Sequence, residues 1–266
     1  MPRLLIYAAS GVRLGAREPH SLYGERALNR IKIGPKLVAI FLVVGLLPLA
    51  VVGILGVRQS SDALHEDSSA SLEEVAFNAI DKLDRNLFER YGDVQAFAKS
   101  DPAKSMDPGR LQTWLDTMMG TYTPIYKLMV VADLDGKVIA ANQVDLNGQP
   151  LNTASIVGSD VSGEEWFTKA AGGSLADGET FVEDVNEDPL MARVFGTGPS
   201  AYAMRFTYPI KNDAGEIVGV WSNRFNWDVA NDIMKAVEDR AHERGAATSQ
   251  LWLVNSSGLV VASPHD

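Results

Sequence analysis

The fold is decided by residues 203–227, AMRFTYPIKNDAGEIVGVWSNRFNW, which contain two runs of strand-like sequence. Apolar or aromatic residues alternate with other residues along the first run, the period of a β-strand with one buried face, and the second run begins with four apolar residues around Gly219. Asp213, Ala214 and Gly215 separate the runs and form a turn, because glycine tolerates positive φ angles. The sequence therefore predicts two antiparallel strands, at about residues 201–210 and 217–226.

Two similar segments lie on either side of this hairpin. Residues 128–142, LMVVADLDGKVIAAN, and residues 251–263, LWLVNSSGLVVAS, each contain an apolar run, a glycine turn and a second apolar run. Each predicts a hairpin, and a further strand is expected at about residues 180–185. The repeated pattern predicts a duplicated module whose second copy is cut off early.

Helical segments are interspersed with these strands. Apolar residues recur at helical spacing in residues 107–120, 163–171 and 227–244. Residues 143–162 read as a long polar loop. The fold class is therefore α+β, with a mostly antiparallel sheet and helices on one of its sides.

A long amphipathic helix is predicted before the sheet. Between residues 60 and 99, apolar residues recur mostly three and four positions apart. Asp101-Pro102 ends this helix, because the residue before proline avoids the helical region. About 40 residues would span roughly 60 Å, which suits a stalk that packs against a partner better than a helix of a globular core.

A membrane anchor precedes the stalk. Residues 37–57, LVAIFLVVGLLPLAVVGILGV, carry no charge and match the ~30 Å hydrocarbon layer in length. Seven of the 24 basic residues but only two of the 34 acidic residues precede residue 37, which places the N-terminus in the cytoplasm. A cleaved signal peptide is the alternative, but its apolar region is usually shorter, about 7 to 15 residues. An uncleaved anchor with the remaining chain outside the cytoplasm is therefore expected.

Composition excludes several classes of function. The net charge of −10 argues against nucleic acid as a partner, and the absence of cysteine removes thiolate chemistry. No serine-hydrolase or phosphate-loop motif occurs, so neither catalytic residues nor a cofactor are expected. No metal site is expected either. The histidines are scattered, and an acidic run that might hold calcium fits a solvated surface better; this run consists of Glu183, Asp184, Glu187 and Asp188.

Several segments, taken in order, resemble bacterial methyl-accepting chemotaxis receptors with a double Cache sensor domain, a PAS-like fold. The resemblance covers about residues 31–266. It rests on IKIGPKLVAIFLVVGLLPLAVVGIL, NLFERYGDVQAFAKSDP, EEWFTKAAGG, FVEDVNEDPLMARVFG and AMRFTYPIKNDAGEIVGVWSNRFNW.

The resemblance implies a domain order along the chain. It implies a membrane-distal Cache module that holds a ligand pocket, and a membrane-proximal module of which this chain has only the start. The expected divisions are a cytoplasmic tail (1–36), a transmembrane helix (37–57), a stalk and dimerisation helix (58–100), the distal module (101–245) and the truncated proximal module (246–266).

The function implied is small-molecule sensing outside the cytoplasm, with transmembrane signalling for chemotaxis and no enzyme activity. The receptor would be a homodimer in the bacterial inner membrane, with the sensor in the periplasm, and would reach cytoplasmic signalling proteins through a C-terminal half absent from this chain. One alternative is the sensor half of a histidine kinase or diguanylate cyclase. Another is a membrane-anchored extracytoplasmic enzyme.

The resemblance also implies a ligand pocket. Amino-acid-sensing members carry an arginine two residues before a tryptophan-aromatic pair and an aspartate that closes a later strand. Here Trp166 and Phe167 form the pair, but Glu164 replaces the arginine and Arg224 lies at or near the closing aspartate. This inverted charge pattern puts an ordinary α-amino acid in doubt and suits a cationic ligand such as an amine. The predicted ligand-binding residues are Trp166, Phe167, Asp184, Glu164, Arg224 and Tyr202.

Overall fold

A computed structural model describes residues 32–265 of the chain, apart from the side chains of residues 64–69. Most of the predicted cytoplasmic tail, residues 1–31, lies outside the described residues. The chain divides into two compact units, Met1–Glu66 and Asp67–Asp266. The sheet and its helices belong to the second unit.

One helix, α1 (Ile33–Ala98), contains both the predicted membrane anchor and the predicted stalk. Its Ile33–Ala63 segment is long and apolar enough to cross a membrane, and the most apolar 18-residue stretch in it has a mean hydropathy of 2.9. Pro48 lies inside this segment, where membrane helices tolerate proline. The helix ends at Ala98, three residues before Asp101-Pro102, as the sequence predicts.

Five antiparallel strands form the central sheet, in the spatial order β2-β1-β5-β4-β3. Adjacent strands pair antiparallel throughout, and the 203–227 hairpin supplies two of the inner strands. The predicted strands are therefore confirmed to within two residues at most ends. Their bounds are β1 (Tyr126–Ala132), β2 (Val138–Ala141), β3 (Phe181–Glu187), β4 (Tyr202–Lys211) and β5 (Ile217–Phe225).

The turn between β1 and β2 depends on glycine for two reasons. Gly136 has a φ of 77°, a conformation that L-amino acids with side chains rarely adopt. A Cβ atom at this position would also lie 2.5 Å from the Cβ of Ser162. Glycine at this position thus lets the long loop after β2 pack against the turn.

Five further helices surround the sheet. They are α2 (Asp101–Ser105), α3 (Pro108–Thr121), α4 (Glu165–Ala171), α5 (Pro189–Phe195) and α6 (Asp228–Glu243). Three begin with a proline in the first turn after a capping side chain, from Ser100, Asp107 and Asp188 respectively. The sequence predicts α3, α4 and α6 but neither α2 nor α5.

Helices cover both faces of the sheet, so the expectation that they lie on one side is wrong. On one face, Phe206, Tyr208 and Trp221 join an apolar core with α1, α2, α3 and α6. On the other face, Leu128, Val130 and Ala203 join a second core with α4 and α5. Successive residues of a strand point to opposite faces, so the same strands supply both cores.

The last described segment forms a separate hairpin, β6 (Leu253–Val254) and β7 (Val260–Ala262), as the sequence predicts. Two-stranded hairpins are marginal alone, so packing must hold this one in place. The carboxylate of Asp184 accepts hydrogen bonds from the Ser256 amide (3.2 Å) and hydroxyl (2.6 Å) at its turn. The indole of Trp227 donates to the carbonyl of Val261.

Candidate functional site

The polar face of the β4–β5 hairpin is the centre of the candidate site. Arg205 and Thr207 on β4, and Ser222 and Arg224 on β5, point to the side covered by α4 and α5, and none is more than 3% exposed. Arg205 and Arg224 are direct cross-strand partners. Two like charges in this position repel each other, so the fold must supply counter-charges.

Asp188 supplies the main counter-charge. Its carboxylate is fully buried, and Oδ2 lies 3.2 Å from Nε of Arg224 and 3.4 Å from Nη1 of Arg205. The other oxygen, Oδ1, accepts hydrogen bonds of 2.8 Å from the amides of Leu190 and Met191. Asp188 therefore caps the first turn of α5 and fixes that helix against both arginines.

Strand β3 adds two further partners for Arg205. Nη2 of Arg205 donates to Glu183 and, at 2.9 Å, to Oδ1 of Asn186. Residues three apart on a regular strand point to opposite faces, but a register shift between Glu183 and Asn186 brings both to the same guanidinium. Oε2 of Glu164, at the start of α4, lies 3.5 Å from Nη1 of Arg205.

Aromatic side chains close the cluster on the α4 side. The guanidinium carbon of Arg224 lies 4.9 Å from the ring centroid of Trp166, within cation–π distance. Trp166 in turn meets Phe167 edge to face at 6.1 Å. Both aromatic residues are buried against the second apolar core, so they combine a packing role with contact to the charged cluster.

Several polar atoms of the cluster are buried but have no hydrogen-bond partner. They are Nε and Nη1 of Arg205, Nη2 of Arg224 and Oε2 of Glu183. Nη1 of Arg205 is close enough to Asp188 and Glu164 for ion pairing, but its geometry does not give a hydrogen bond. Folded proteins satisfy about nine-tenths of such groups, so four in one cluster mark this face as a candidate binding site.

Burial also changes the protonation chemistry of the cluster. Loss of solvent raises the pKa of Glu183, and Arg205 and Asn186 only partly oppose this effect. Burial lowers the pKa of Arg224, whereas Asp188 raises it. Arginine nevertheless stays charged in proteins, so both guanidinium groups are cations at neutral pH.

Four of the six predicted ligand residues, Trp166, Phe167, Glu164 and Arg224, are brought together by the structure around this cluster. The sequence predicts Glu164 and Arg224 as two residues of one ligand pocket. In the structure, Glu164 instead faces Arg205, and Arg224 is fully buried beside Asp188.

The other two predicted residues lie elsewhere. Asp184 is exposed and points to the β6–β7 hairpin, where hydrogen bonds from Ser256 hold its pKa below the ordinary value. It borders a cavity of about 210 Å³ that lies away from the charged cluster, between α1, β3 and that hairpin. Tyr202 is half-buried and packs against the apolar core on the opposite face of the sheet.

The acidic run on β3 does not converge on one point. Glu183 and Asp188 face Arg205, Asp184 faces Ser256, and Glu187 accepts a hydrogen bond from the amide of Gly198. Within residues 32–63 and 70–265, no three Asp, Glu or His side chains are grouped so that they could hold a metal ion.

The sequence analysis did not identify Arg205 or Asn186, and it noted Asp188 only as part of the acidic run. Two signals were present in the sequence. Arg205 is the one charged residue in the apolar run from Ala201 to Ile210, and Asp188-Pro189 is a helix-start pattern. Neither signal shows that the two side chains meet.

Comparison with solved structures places this geometry in a known fold. The ligand-binding domain of the Campylobacter jejuni chemoreceptor Tlp3, in complex with L-valine, matches with a TM-score of 0.52 at 11% sequence identity, covering 77% of this chain and 74% of that one. The isoleucine-bound sensory domain of Tlp3 gives the same four values. Its complex with 4-methylisoleucine gives 0.51 at 12% identity, covering 74% and 71%.

Sequence comparison gives no further relatives. No protein-family model matches the chain, and no curated protein matches it either. The structural likeness shows that the chain has the fold of a chemoreceptor ligand-binding domain, which confirms the fold that the sequence resemblance predicts.

Proposed function

We propose that this chain is the ligand-sensing half of a membrane chemoreceptor. It binds a small molecule outside the cytoplasm and signals across the membrane for chemotaxis. One observation carries the proposal: a chemoreceptor sensor fold follows a helix that is apolar enough to cross a membrane. The neighbours of known fold are sensor domains, so the proposed role is binding and not catalysis.

The proposed ligand site lies between the sheet and α4. Its contact residues are Trp166, Phe167, Glu164 and Arg224, joined by Arg205. The buried atoms without hydrogen-bond partners support this location, since a bound molecule could satisfy them. Asp184 and Tyr202 face other parts of the structure and are not part of the proposed site.

The proposed topology has the N-terminus in the cytoplasm and the sensor outside. The basic residues that precede the apolar helix support this orientation. Residues 101–245 act as the distal module and residues 246–266 begin a second one. The sensor reaches cytoplasmic signalling proteins across the membrane.

A homodimer formed through α1 is part of the proposal. Phe77 and Phe88 are 68% and 77% exposed on this helix. They are eleven residues apart, which is close to three full turns, so both lie on the same side. Two exposed aromatic side chains in line suit contact with a partner helix.

The first test measures ligand binding by the full chain in lipid nanodiscs. Its unfolding midpoint is followed against amines, amino acids, organic acids and purines. A sensor gives a saturable rise with one chemical class, because a ligand that binds only the native state stabilises it by mass action. If no class raises the midpoint, direct sensing by this chain is wrong.

The second test separates chemotaxis from other outputs. The gene is deleted from its bacterium, and migration in a gradient of the binding compound is compared with that of the parent. We expect the response to disappear and to return when the gene is restored. Unchanged migration together with lost transcription would instead indicate a histidine kinase output.

A further inference from the structure

The cavity beside Asp184, of about 210 Å³, lies on the α1 side of the sheet and is bordered by α1, β3, β4 and the β6–β7 hairpin. Most of its lining residues are apolar. Leu83, Val185, Trp227 and Val261 are no more than 6% exposed, so they form its inner walls. Apolar cavities of roughly this size take up small apolar molecules, because water inside them gains few hydrogen bonds. The cavity therefore suits the apolar part of a ligand.

The charged residues of the lining are both acidic. Asp84 on α1 and Asp184 on β3 are exposed, so their carboxylates lie at the mouth of the cavity. Hydrogen bonds from Ser256 lower the pKa of Asp184, which keeps this carboxylate charged at neutral pH. Two negative charges beside an apolar interior attract a positive group and repel an anion.

Two of the apolar lining residues suit the same ligand chemistry. The indole N–H of Trp227 donates to the carbonyl of Val261, which fixes this side chain against the hairpin. Tryptophan is the aromatic side chain that attracts cations most strongly. Met204 also lines the cavity, and its flexible, polarisable side chain adapts to ligands of different shape.

We propose that this cavity binds a small organic cation, whose apolar group packs against Trp227 and Leu83 and whose ammonium group lies beside Asp84 and Asp184. This site is separate from the proposed ligand site between the sheet and α4, so the inference goes beyond the proposed function. The bound cation contacts α1 through Leu83 and the hairpin through Val261. It therefore holds the hairpin to α1, because these contacts are lost when the hairpin moves away.

The first measurement is isothermal titration of the full chain in phosphatidylcholine nanodiscs, with empty nanodiscs giving the contribution of the lipid. Cyclohexylamine has an apolar ring and an ammonium group, cyclohexanecarboxylate has the same ring and a carboxylate, and methylamine has an ammonium group and no ring. We expect saturable binding of cyclohexylamine. The other two compounds should bind more weakly by more than about tenfold, because one lacks the complementary charge and the other lacks the apolar surface.

Two results of this titration would overturn the inference. Failure of cyclohexylamine to bind would show that the cavity is closed to ligands, for example by a second copy of the chain packed on α1. Equal or tighter binding of cyclohexanecarboxylate would show that the acidic mouth does not select the ligand.

Variants at the mouth assign the binding to this cavity. Asp84→Asn should weaken the affinity for cyclohexylamine roughly three- to tenfold, the effect of removing one exposed charge. Asp84→Lys places a cation at the mouth and should abolish binding, and its exposed position on α1 lets the protein keep its fold. The matched control is Asp213→Lys, the same change of charge in the β4–β5 turn, where the side chain is 90% exposed. Unchanged affinity in Asp84→Lys would contradict the proposal.

Hydrogen exchange locates the bound amine in the chain. Cyclohexylamine should slow the exchange of the amides in residues 253–262, because it holds the hairpin to α1. The amides of α4 are the internal control, since this helix packs in the core on the opposite face of the sheet. Slower exchange confined to α4 would mean that the amine occupies the proposed ligand site, and the inference would be wrong.

The outcomes also separate this inference from the proposed function. If cyclohexylamine does not bind, but another compound raises the unfolding midpoint and gene deletion removes migration toward or away from it, the sensing function holds and the cavity assignment is wrong. If cyclohexylamine binds and Asp84→Lys abolishes this binding, but deletion leaves every migration response intact, the cavity assignment holds and chemotaxis is wrong.

Discussion

The two faces of the five-stranded sheet are built from the same strands and each contributes to an apolar core, but only one of them also buries a charged cluster. Phe206, Tyr208 and Trp221 on one face pack with the helices around α1 in an apolar core. Arg205, Thr207 and Arg224 alternate with them and point to the other face, beneath α4 and α5. The comparison shows how one hairpin can contribute both to an apolar core and to a charged cluster, because the two use alternate residues.

The apolar face should dominate the stability of the fold, which Trp221→Ala tests. Trp221 is fully buried beside Phe97, and truncation of such a side chain leaves a cavity. We expect a loss of about 3 to 5 kcal/mol in the free energy of unfolding, measured by urea denaturation. Trp252→Ala is the control, since Trp252 is 54% exposed and its loss should cost far less. Equal losses in both variants would show that this face is not the main core.

The polar face should depend on Asp188 more than on any other single residue. Asp188→Ala leaves two buried arginines without their shared carboxylate and removes the cap of α5. We expect a loss of about 3 to 4 kcal/mol, in the lower part of the range for broken buried pairs, because Glu183 still faces Arg205. The measurement is the same denaturation experiment.

An exposed ion pair provides the control for Asp188. Asp213 lies only 2.7 Å from Nζ of Lys104, but its side chain is 90% exposed. Asp213→Ala should change the unfolding transition little, because water screens exposed pairs. If Asp213→Ala lowers the free energy of unfolding as much as Asp188→Ala does, burial does not explain the contribution of Asp188 to stability.

Thr207 and Ser222 allow a smaller and more specific test of the polar face. Their hydroxyl groups are 2.8 Å apart and fully buried. Thr207→Val should cost about 1 to 2 kcal/mol, because it leaves the Ser222 hydroxyl without a partner. The double variant with Ser222→Ala should lose less than the sum of the two single variants. Strict additivity in this double-mutant cycle would show that the hydrogen bond contributes nothing.

The smallest effect is expected at Asp184, which lies outside the comparison of the two faces. Hydrogen bonds from Ser256 lower its pKa, so its stabilising effect is present above the unfolded-state pKa of about 3.9. That effect is lost as the pH falls through the lower folded-state pKa. Asp184→Ala should cost less than about 1 kcal/mol at pH 7, since the group is exposed, and the difference from the parent should shrink in strong acid.

Much of the fold was predictable because it depends on local periodicity. The strands of the 203–227 hairpin follow from apolar residues spaced two positions apart. The helix at 107–120 follows from apolar residues spaced three to four positions apart, and the apolar span follows from unbroken hydrophobicity. Helix α5 was missed although Asp188-Pro189 is a recognisable start signal, because only seven residues follow it. A segment that short carries too few apolar positions to show a helical period.

The site was harder to predict, and β3 shows why. The period of a strand predicts that Glu183 and Asp184 point to opposite faces, but not which of them meets the charged cluster. The register shift before Asn186 then aligns Glu183 and Asn186 with Arg205. A bulge of this kind depends on how two strands pair, so the sequence of one strand does not reveal it.

The sequence by itself determined the parts of this protein that follow from a single segment: the apolar helix, the alternating strands, the glycine turns and the aromatic pair at Trp166 and Phe167. Only the tertiary structure decided that helices cover both faces, that Asp188 meets two arginines, and that Asp184 holds the second hairpin. The physical reason is the distance along the chain over which each interaction acts. Periodicity and turn chemistry act between neighbours in the chain, whereas a buried charge selects a distant partner through desolvation and pairing, as Arg224 does with Asp188, 36 residues away.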